Sequence, residues 1–389
     1  MENLAIVAIA YNRVHSLERL LSSLLRANLK DTPLVISIDK SDTSEVEDFA
    51  DSFVWPYGNK EVVKHKNRLG LREHILSVGS LLNKYEALIV LEDDIVVSPN
   101  FYDFAASAWN IYKYDSHVAG ISLYNYQFNY QTFEPFEALK NGYDAYFMQI
   151  AMSWGQVWMR DSWNEFYKWY EENKNLDLQN IEGTYCFKDW GKNSWLKFHI
   201  AYCIAKNKYF VYPYDSYTTN CADKGDHVQS NLFVYQTSLF WGSKNNKEYS
   251  FPTFDGGVVY DSYNENELIY SILNIKKSEL TLDLSDNNKE LFKKRYLLTT
   301  KKLNFRIVKS YNLQYHPIEL NIILDSKGEG IYLYDTKNKQ VNRCSTRFQH
   351  LKLVSYRYRM HSLLAILRKV GSGELISSIF YGIHRKFSK

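Results

Sequence analysis

The run Ala87-Leu-Ile-Val-Leu-Glu-Asp-Asp-Ile-Val-Val97 places three consecutive acids, Glu92, Asp93 and Asp94, between apolar stretches that read as buried strand. Burying unpaired carboxylates is costly, so a strand edge that carries three of them needs a cation nearby. A divalent metal that itself holds a phosphate satisfies that need with oxygen ligands. Pro99 and Asn100 then mark the exit of the chain into a loop or helix start.

The rest of the sequence bounds the setting. A chain of 389 residues that is 45% hydrophobic can build one large core or two unequal domains. A formal net charge of +3 gives no basis for a nucleic-acid partner. Aromatic residues make up 16%, Tyr foremost, which suits sugar faces and ordinary cores alike. Cys186, Cys203, Cys221 and Cys344 form no CxxC pair and no zinc spacing, and are expected to be reduced thiols of a cytoplasmic protein. No secretory signal is read at the N-terminus, and no apolar run is long enough to span a bilayer.

Hydrophobic spacing predicts strand, helix, strand, helix, strand over the first hundred residues: Leu4–Ala10, Leu17–Leu29 with Ser16 as N-cap, Leu34–Ile38, a short strand at Val62–Lys64, Arg72–Leu82 and Ala87–Leu91. This is the pattern of an α/β sheet, mostly parallel and flanked by helices, in which ligands sit beyond the carboxyl ends of the strands. Asn12, Arg13, Asp39 and the acid triplet all fall at such ends. Helices are expected at Tyr102–Tyr114, Ser162–Asn173 and Trp195–Ala205, and a strand at Tyr209–Tyr212. Composition shifts near residue 245, dividing a main domain (1–245) from a small α+β appendage (246–355) with strands at Phe305–Val308, Ile318–Leu324 and Gly330–Tyr334.

The tail over residues 356–389 interleaves apolar residues such as Leu363, Ile366, Leu367, Ile376 and Phe380 with Arg357, Arg359, Arg368, Lys369, Arg385 and Lys386. An apolar face with a basic rim lies on an anionic bilayer or docks on its own protein. The basic excess favours the membrane surface, on the inner face of the plasma membrane.

Four motifs in order, Ala10-Tyr-Asn-Arg13, Ser37-Ile-Asp39, Leu69-Gly-Leu-Arg-Glu-His74 and Leu91-Glu-Asp-Asp94, give the chain a resemblance. It resembles the nucleotide-sugar-dependent glycosyltransferases of the GT-A fold, in particular the N-acetylglucosaminyltransferase I family and its bacterial relatives. The match covers about the first 110 residues well and residues 150–230 more loosely. The resemblance implies that Asp94 contacts a Mn²⁺ or Mg²⁺ bridging the two phosphates of a UDP-sugar. Glu92 and Asp93 would face the sugar and the ribose, Arg13 the phosphate or sugar, and Asp39 and His74 the uracil. Read without it, Arg13 caps a helix or pairs with a surface acid, Asp39 is a turn residue beside Ser41 and Asp42, and His74 is a helix-surface histidine.

Ser153-Trp-Gly-Gln-Val-Trp158, followed by Trp163, resembles the Trp-Gly segment that lines donor sugar and acceptor in that family; it is otherwise an aromatic core against the sheet. An inverting transferase needs a base to take the acceptor proton. In the family this base is an Asp after a Trp-rich helix start, but here Ser194-Trp195 is followed by Leu196. The candidates are therefore Asp189, then His199, then Glu182. Asn220-Cys-Ala-Asp-Lys-Gly-Asp-His227 resembles the late loop that closes over the donor, with His227 or Asp226 adding a metal or phosphate contact and Lys224 meeting a phosphate.

The expected activity is transfer of one sugar, GlcNAc or a related hexose, with inversion, onto a hydroxyl of a glycan or lipid-linked oligosaccharide in bacterial surface-polysaccharide assembly. A sugar nucleotidyltransferase would carry a Gly-rich phosphate loop after the first strand, where Ala10-Tyr-Asn-Arg13 stands instead. A non-catalytic polysaccharide-assembly or binding protein is the remaining alternative, kept open by the displaced base.

Overall fold

The computed structural model describes residues 4–178, 181–183, 187, 190–191, 193–223, 235–242, 248–342 and 347–358. The chain divides into two compact units, the first formed by 1–127 and 138–267, the second by 128–137 and 268–389. The composition shift near residue 245 thus precedes the end of the first unit.

The first unit begins with β1 (Leu4–Ala10), α1 (Val14–Leu24), β2 (Leu34–Ile38), α2 (Glu45–Ser52), β3 (Lys60–Lys64), α3 (Leu71–Val78), β4 (Ala87–Glu92), β5 (Ile95–Val97), α4 (Phe101–Tyr112) and β6 (Val118–Ser122). It continues through β7 (Ala145–Met148), β8 (Gln156–Met159), α5 (Arg160–Asn173), α6 (Leu196–Ala205), β9 (Tyr209–Pro213), β10 (Thr218–Asn220) and β11 (Val259–Tyr260). One sheet runs β11-β7-β9-β6-β8-β4-β1-β2-β3. Its β4-β1-β2-β3 half is parallel, and β8 enters antiparallel between β6 and β4.

All seven residues of β1 and all five of β2 are buried, as strands covered on both faces require. Ile6, Ala8, Leu34, Ile36, Ile89 and Leu91 face one side, where Leu17, Leu20, Leu21 and Leu24 of α1 and Phe101, Phe104 and Ala108 of α4 cover them. Each such large side chain contributes about 1.5–3 kcal/mol by leaving water. Alternation puts Ser37, Val90 and Glu92 on the opposite side. The carboxyl ends of β1 to β4 share one edge of the sheet.

The second unit contains α7 (Leu268–Leu273), β12 (Leu280–Asp283), β13 (Tyr296–Thr299), β14 (Phe305–Asn312), α8 (Leu320–Ile323), β15 (Gly330–Lys339) and α9 (Arg347–Tyr358). Its sheet runs β12-β13-β15-β14 over a core of Leu280, Leu282, Leu298, Ile322, Ile331 and Leu333. Arg357 of α9 donates to Glu134 (2.6 Å), Thr300 (2.9 Å) and the Leu284 carbonyl (2.9 Å), tying helix, sheet and the 128–137 segment together.

One expected strand is a helix. Ile318–Leu324 reads as an apolar β-branched run, but the fully buried Asn321 donates to the carbonyls of Tyr315 and Ile318 and accepts from the amides of Gln314 and Tyr315. Those local bonds coil the segment into α8, with Ile322 in the core. The Arg72–Leu82 helix is also split: α3 stops at Val78 and a 3₁₀ turn spans Gly79–Asn83. At Gly79 a Cβ would lie 2.1 Å from the Trp163 indole nitrogen, a space no other residue fits. Among the described residues no helix is long and apolar enough to cross a membrane, and the tail beyond Tyr358 lies outside them.

Candidate active site at the carboxyl edge of the sheet

β4 delivers Glu92, Asp93 and Asp94 to the sheet edge, and the chain turns at once into β5. β5 pairs antiparallel with β10, Ile95 opposite Asn220, so the segment after β10 is drawn alongside the acids. The Cys221 amide donates to the Asp94 carbonyl at 2.8 Å, and the Asn220 side chain donates to the Asp94 carboxylate. From the other side, α1 begins directly after β1. Its N-cap residue, Arg13, makes no capping bond; its guanidinium instead holds the Asp93 carboxylate and approaches Asp94 to 3.9 Å.

A second ion pair stands beside the first. Arg19 donates to Asp223 at 3.0 Å through Nη1 and again through Nη2, and Ser16 donates to Asp223 at 2.5 Å. Ser16 is therefore an anchor for the loop after β10 and not the helix cap expected for it. In the sequence Arg19 carries no mark of the site, Ser16 stands only as a helix cap, and Asn220 and Asp223 belong to the late loop without contacts of their own. The three-residue spacing of Ser16 and Arg19 on α1 is the signal that puts them on one face.

The electrostatics are lopsided. Four carboxylates (Glu92, Asp93, Asp94, Asp223) face two guanidiniums. Burial raises Glu92 well above the ordinary carboxylate range, and the charges of Asp94 and Asp93 raise it further; a Ser153 hydrogen bond opposes them. Burial also lifts Asp93 to about 6 against the pull of Arg13, and raises Asp94. Asp223 is only partly buried, and the Arg19 and Ser16 bonds outweigh that burial and hold its carboxyl below the usual range.

One atom stands out. Asp94 Oδ1 is buried and accepts no hydrogen bond among the described residues. An orphaned carboxylate oxygen in a cluster of excess negative charge fits one hard cation. Among the described residues no group of three or more His, Cys, Asp and Glu side chains forms a metal cage.

Asp39, expected to accept a base N–H, also has a part in the fold. Its carboxylate receives the backbone amides of Lys40 (2.9 Å), Leu69 (2.8 Å) and Gly70 (2.9 Å), so it staples the end of β2 to the loop that opens α3. Gly70 has φ +78°, a left-handed conformation that glycine alone adopts without strain. In the same loop Arg68 lies 4.6 Å over the ring of Tyr11, which follows β1. His74, expected at the uracil or on the helix surface, is 3% exposed inside the seam between β2 and α3. Its Nε2 is 2.8 Å from Ser37 Oγ, its ring meets His65 edge-on at 5.0 Å, and burial drives its pKa down to about 4. It packs this corner as a neutral ring.

The candidate bases part company. Asp189 lies outside the described residues, as do Lys224, Asp226 and His227. Glu182 is exposed. His199, 1% exposed on α6, is boxed in by Phe166 (stacked at 4.1 Å), Phe210, Trp195 and Trp163, and neither ring nitrogen has a partner. A base must reach the proton it takes, and this ring is sealed by others. The expectation that His199 serves as base is corrected: it is a core residue. Trp158 stacks on Trp163 at 3.7 Å in the same cluster, whereas Trp154 lies near Tyr124 and Tyr235.

This box makes stability acid-sensitive. Burial lowers His199 to about 3, while the unfolded ring titrates near 6.5. Between those values the unfolded chain binds a proton that the folded chain excludes, so stability falls as pH drops through the window. Between pH 7 and pH 5 the wild type should lose roughly 2 kcal/mol more than His199→Phe. Urea denaturation at the two pH values measures it; equal losses would show that the ring is not held neutral.

No protein-family model matches the sequence, and no curated protein matches it. Solved structures do. S. aureus TarS 1-349 in complex with UDP-GlcNAc aligns at 12% identity and TM-score 0.39, over 60% of this chain and 62% of that one. The mannosyltransferase PcManGT from Pyrobaculum calidifontis, with GDP-Man and Mn²⁺, aligns at 15% identity and TM-score 0.37, over 58% of each chain. GalNAc-T7 with UDP, GalNAc and Mn²⁺ aligns at 13% identity and TM-score 0.35, over 54% of this chain and 42% of that one. In each case the chain spans less than two thirds of the structure it matches.

Proposed function

We propose that the chain is a metal-dependent glycosyltransferase that moves one sugar, GlcNAc or a related hexose, from a UDP-sugar to a hydroxyl of a glycan or lipid-linked oligosaccharide, with inversion. The observation that carries this reading is the unpartnered Asp94 Oδ1 at the carboxyl edge of a mostly parallel sheet, within a cluster whose carboxylates outnumber its guanidiniums. Asp94 would hold a Mn²⁺ or Mg²⁺. Such an ion, when bound, supplies charge neutralisation to the departing nucleoside diphosphate.

The remaining roles belong to the protein. Arg13, locked by Asp93, keeps a guanidinium at the rim without the entropy cost of ordering it on binding. Glu92, steadied by Ser153, faces the sugar hydroxyls. Asp39 and Gly70 position the loop against which the base and ribose lie. Asp189 is the proposed acceptor base. The basic amphipathic tail would bring the enzyme to lipid-linked acceptors on the cytoplasmic face of a bacterial membrane, in surface-polysaccharide assembly; co-sedimentation with anionic vesicles, lost on deleting residues 359–389, checks that part.

The test of the activity is incubation with a panel of labelled UDP-sugars and Mn²⁺ but no acceptor. A transferase slowly hydrolyses its own donor, so UDP release from one sugar of the panel is expected. Tight UDP binding with no release from any donor would leave a binding protein in its place.

A further inference from the structure

The second unit carries a partly open cavity of about 310 Å³. Its wall carries three ammonium groups, Lys301 and Lys302 from the β13–β14 connection and Lys352 from α9, against two carboxylates, Asp286 and Glu329. The three lysines are not equivalent. Lys301 is neutralised internally, bridging Asp286 and the fully buried Asp283 (3.0 Å). Lys302, its side chain only 12% exposed, sits 3.5 Å from Glu329 and 5.5 Å over the Tyr332 ring. Lys352 donates at 2.7 Å to the Asn312 amide oxygen, a neutral partner. Two of the three charges are thus loosely compensated and border one cavity. Among the described residues its lining offers ammonium groups, which serve a phosphate as point charges, and no guanidinium with the planar fork that matches a carboxylate. The volume far exceeds a lone oxyanion, and Tyr332, Leu313 and Leu353 give the wall an apolar side suited to the body of a sugar ring.

We infer that this cavity binds a sugar phosphate, its phosphate between Lys302 and Lys352 and its ring toward Tyr332. Resting on the proposed transferase activity, it makes the acceptor a phosphate-bearing glycan.

The test is calorimetric titration of the full chain, with saturating UDP and Mn²⁺ so that the donor site is filled. Glucose 6-phosphate should bind, and glucose and inorganic phosphate should each bind at least tenfold more weakly. Lys302→Gln/Lys352→Gln should weaken glucose 6-phosphate at least tenfold, and Lys352→Gln alone, at an exposed position that leaves the fold intact, severalfold. Absent binding, binding unchanged in both variants, or inorganic phosphate bound as tightly as the sugar phosphate would overturn the inference. UDP affinity is measured on the same proteins. Its absence in the wild type would sink the donor reading, whereas intact UDP binding without sugar-phosphate binding would sink only this one.

Discussion

Replacing Asp94 with Asn should cut donor hydrolysis on the order of a thousandfold while leaving the protein as stable as the wild type or about 1 kcal/mol more stable. Both halves follow from one atom. Asp94 Oδ1 is buried without a hydrogen-bond partner, in a cluster that already holds more negative than positive charge. In the free protein that carboxylate is a net cost, and an amide of the same shape relieves it. In the proposed donor complex the same oxygen would meet a cation, and an amide oxygen is a poorer ligand for a hard ion. Stability gained with activity lost is the pattern of a functional group, and the reverse would mark a structural one. UDP release and urea denaturation on the same preparations read the two quantities. Full hydrolysis at saturating donor would remove Asp94 from the site.

Arg13→Met should destabilise the fold by about 3–5 kcal/mol, because it strips the cation from a buried carboxylate. Asp93 is 5% exposed, and Arg13 is its ion-pair partner, reaching it through both Nε and Nη2. Adding Asp93→Leu to Arg13→Met should restore most of the loss, since an apolar pair no longer leaves a charge stranded. The double-mutant cycle isolates the coupling. A loss below 1 kcal/mol for Arg13→Met alone would mean that water or another group reaches Asp93.

These two effects rest on residues that the sequence makes visible. The apolar runs Leu4–Ala10 and Ala87–Leu91, and Leu34–Ile38 broken only by Ser37, read as strands buried on both faces, and the polar residues that end them then gather on one edge. Hence Arg13, Asp39 and the acid triplet were legible as a group. Their partners were not. Asp39 and His74 carry no mark that separates a ligand-facing group from an internal one; only tertiary packing shows that three backbone amides occupy the first and that Ser37 buries the second. Asp223 lies more than a hundred residues from Asp94, and nothing local announces that the β5–β10 ribbon brings it beside α1. In the second unit, Ile318–Leu324 has the composition of a strand, and the bonds of Asn321 override it. Residues 128–137 join that unit through contacts such as Glu134 with Arg357, whose partners are far apart in the chain.

On the proposed reading, the end of β4 holds a divalent cation and, through it, a nucleoside diphosphate. Electron paramagnetic resonance of Mn²⁺ titrated into the protein with saturating UDP tests it most directly. One Mn²⁺ bound per chain is expected in the presence of UDP, and none detectable with Asp94→Asn under the same conditions. Mn²⁺ bound equally by wild type and variant, or by neither, would contradict it.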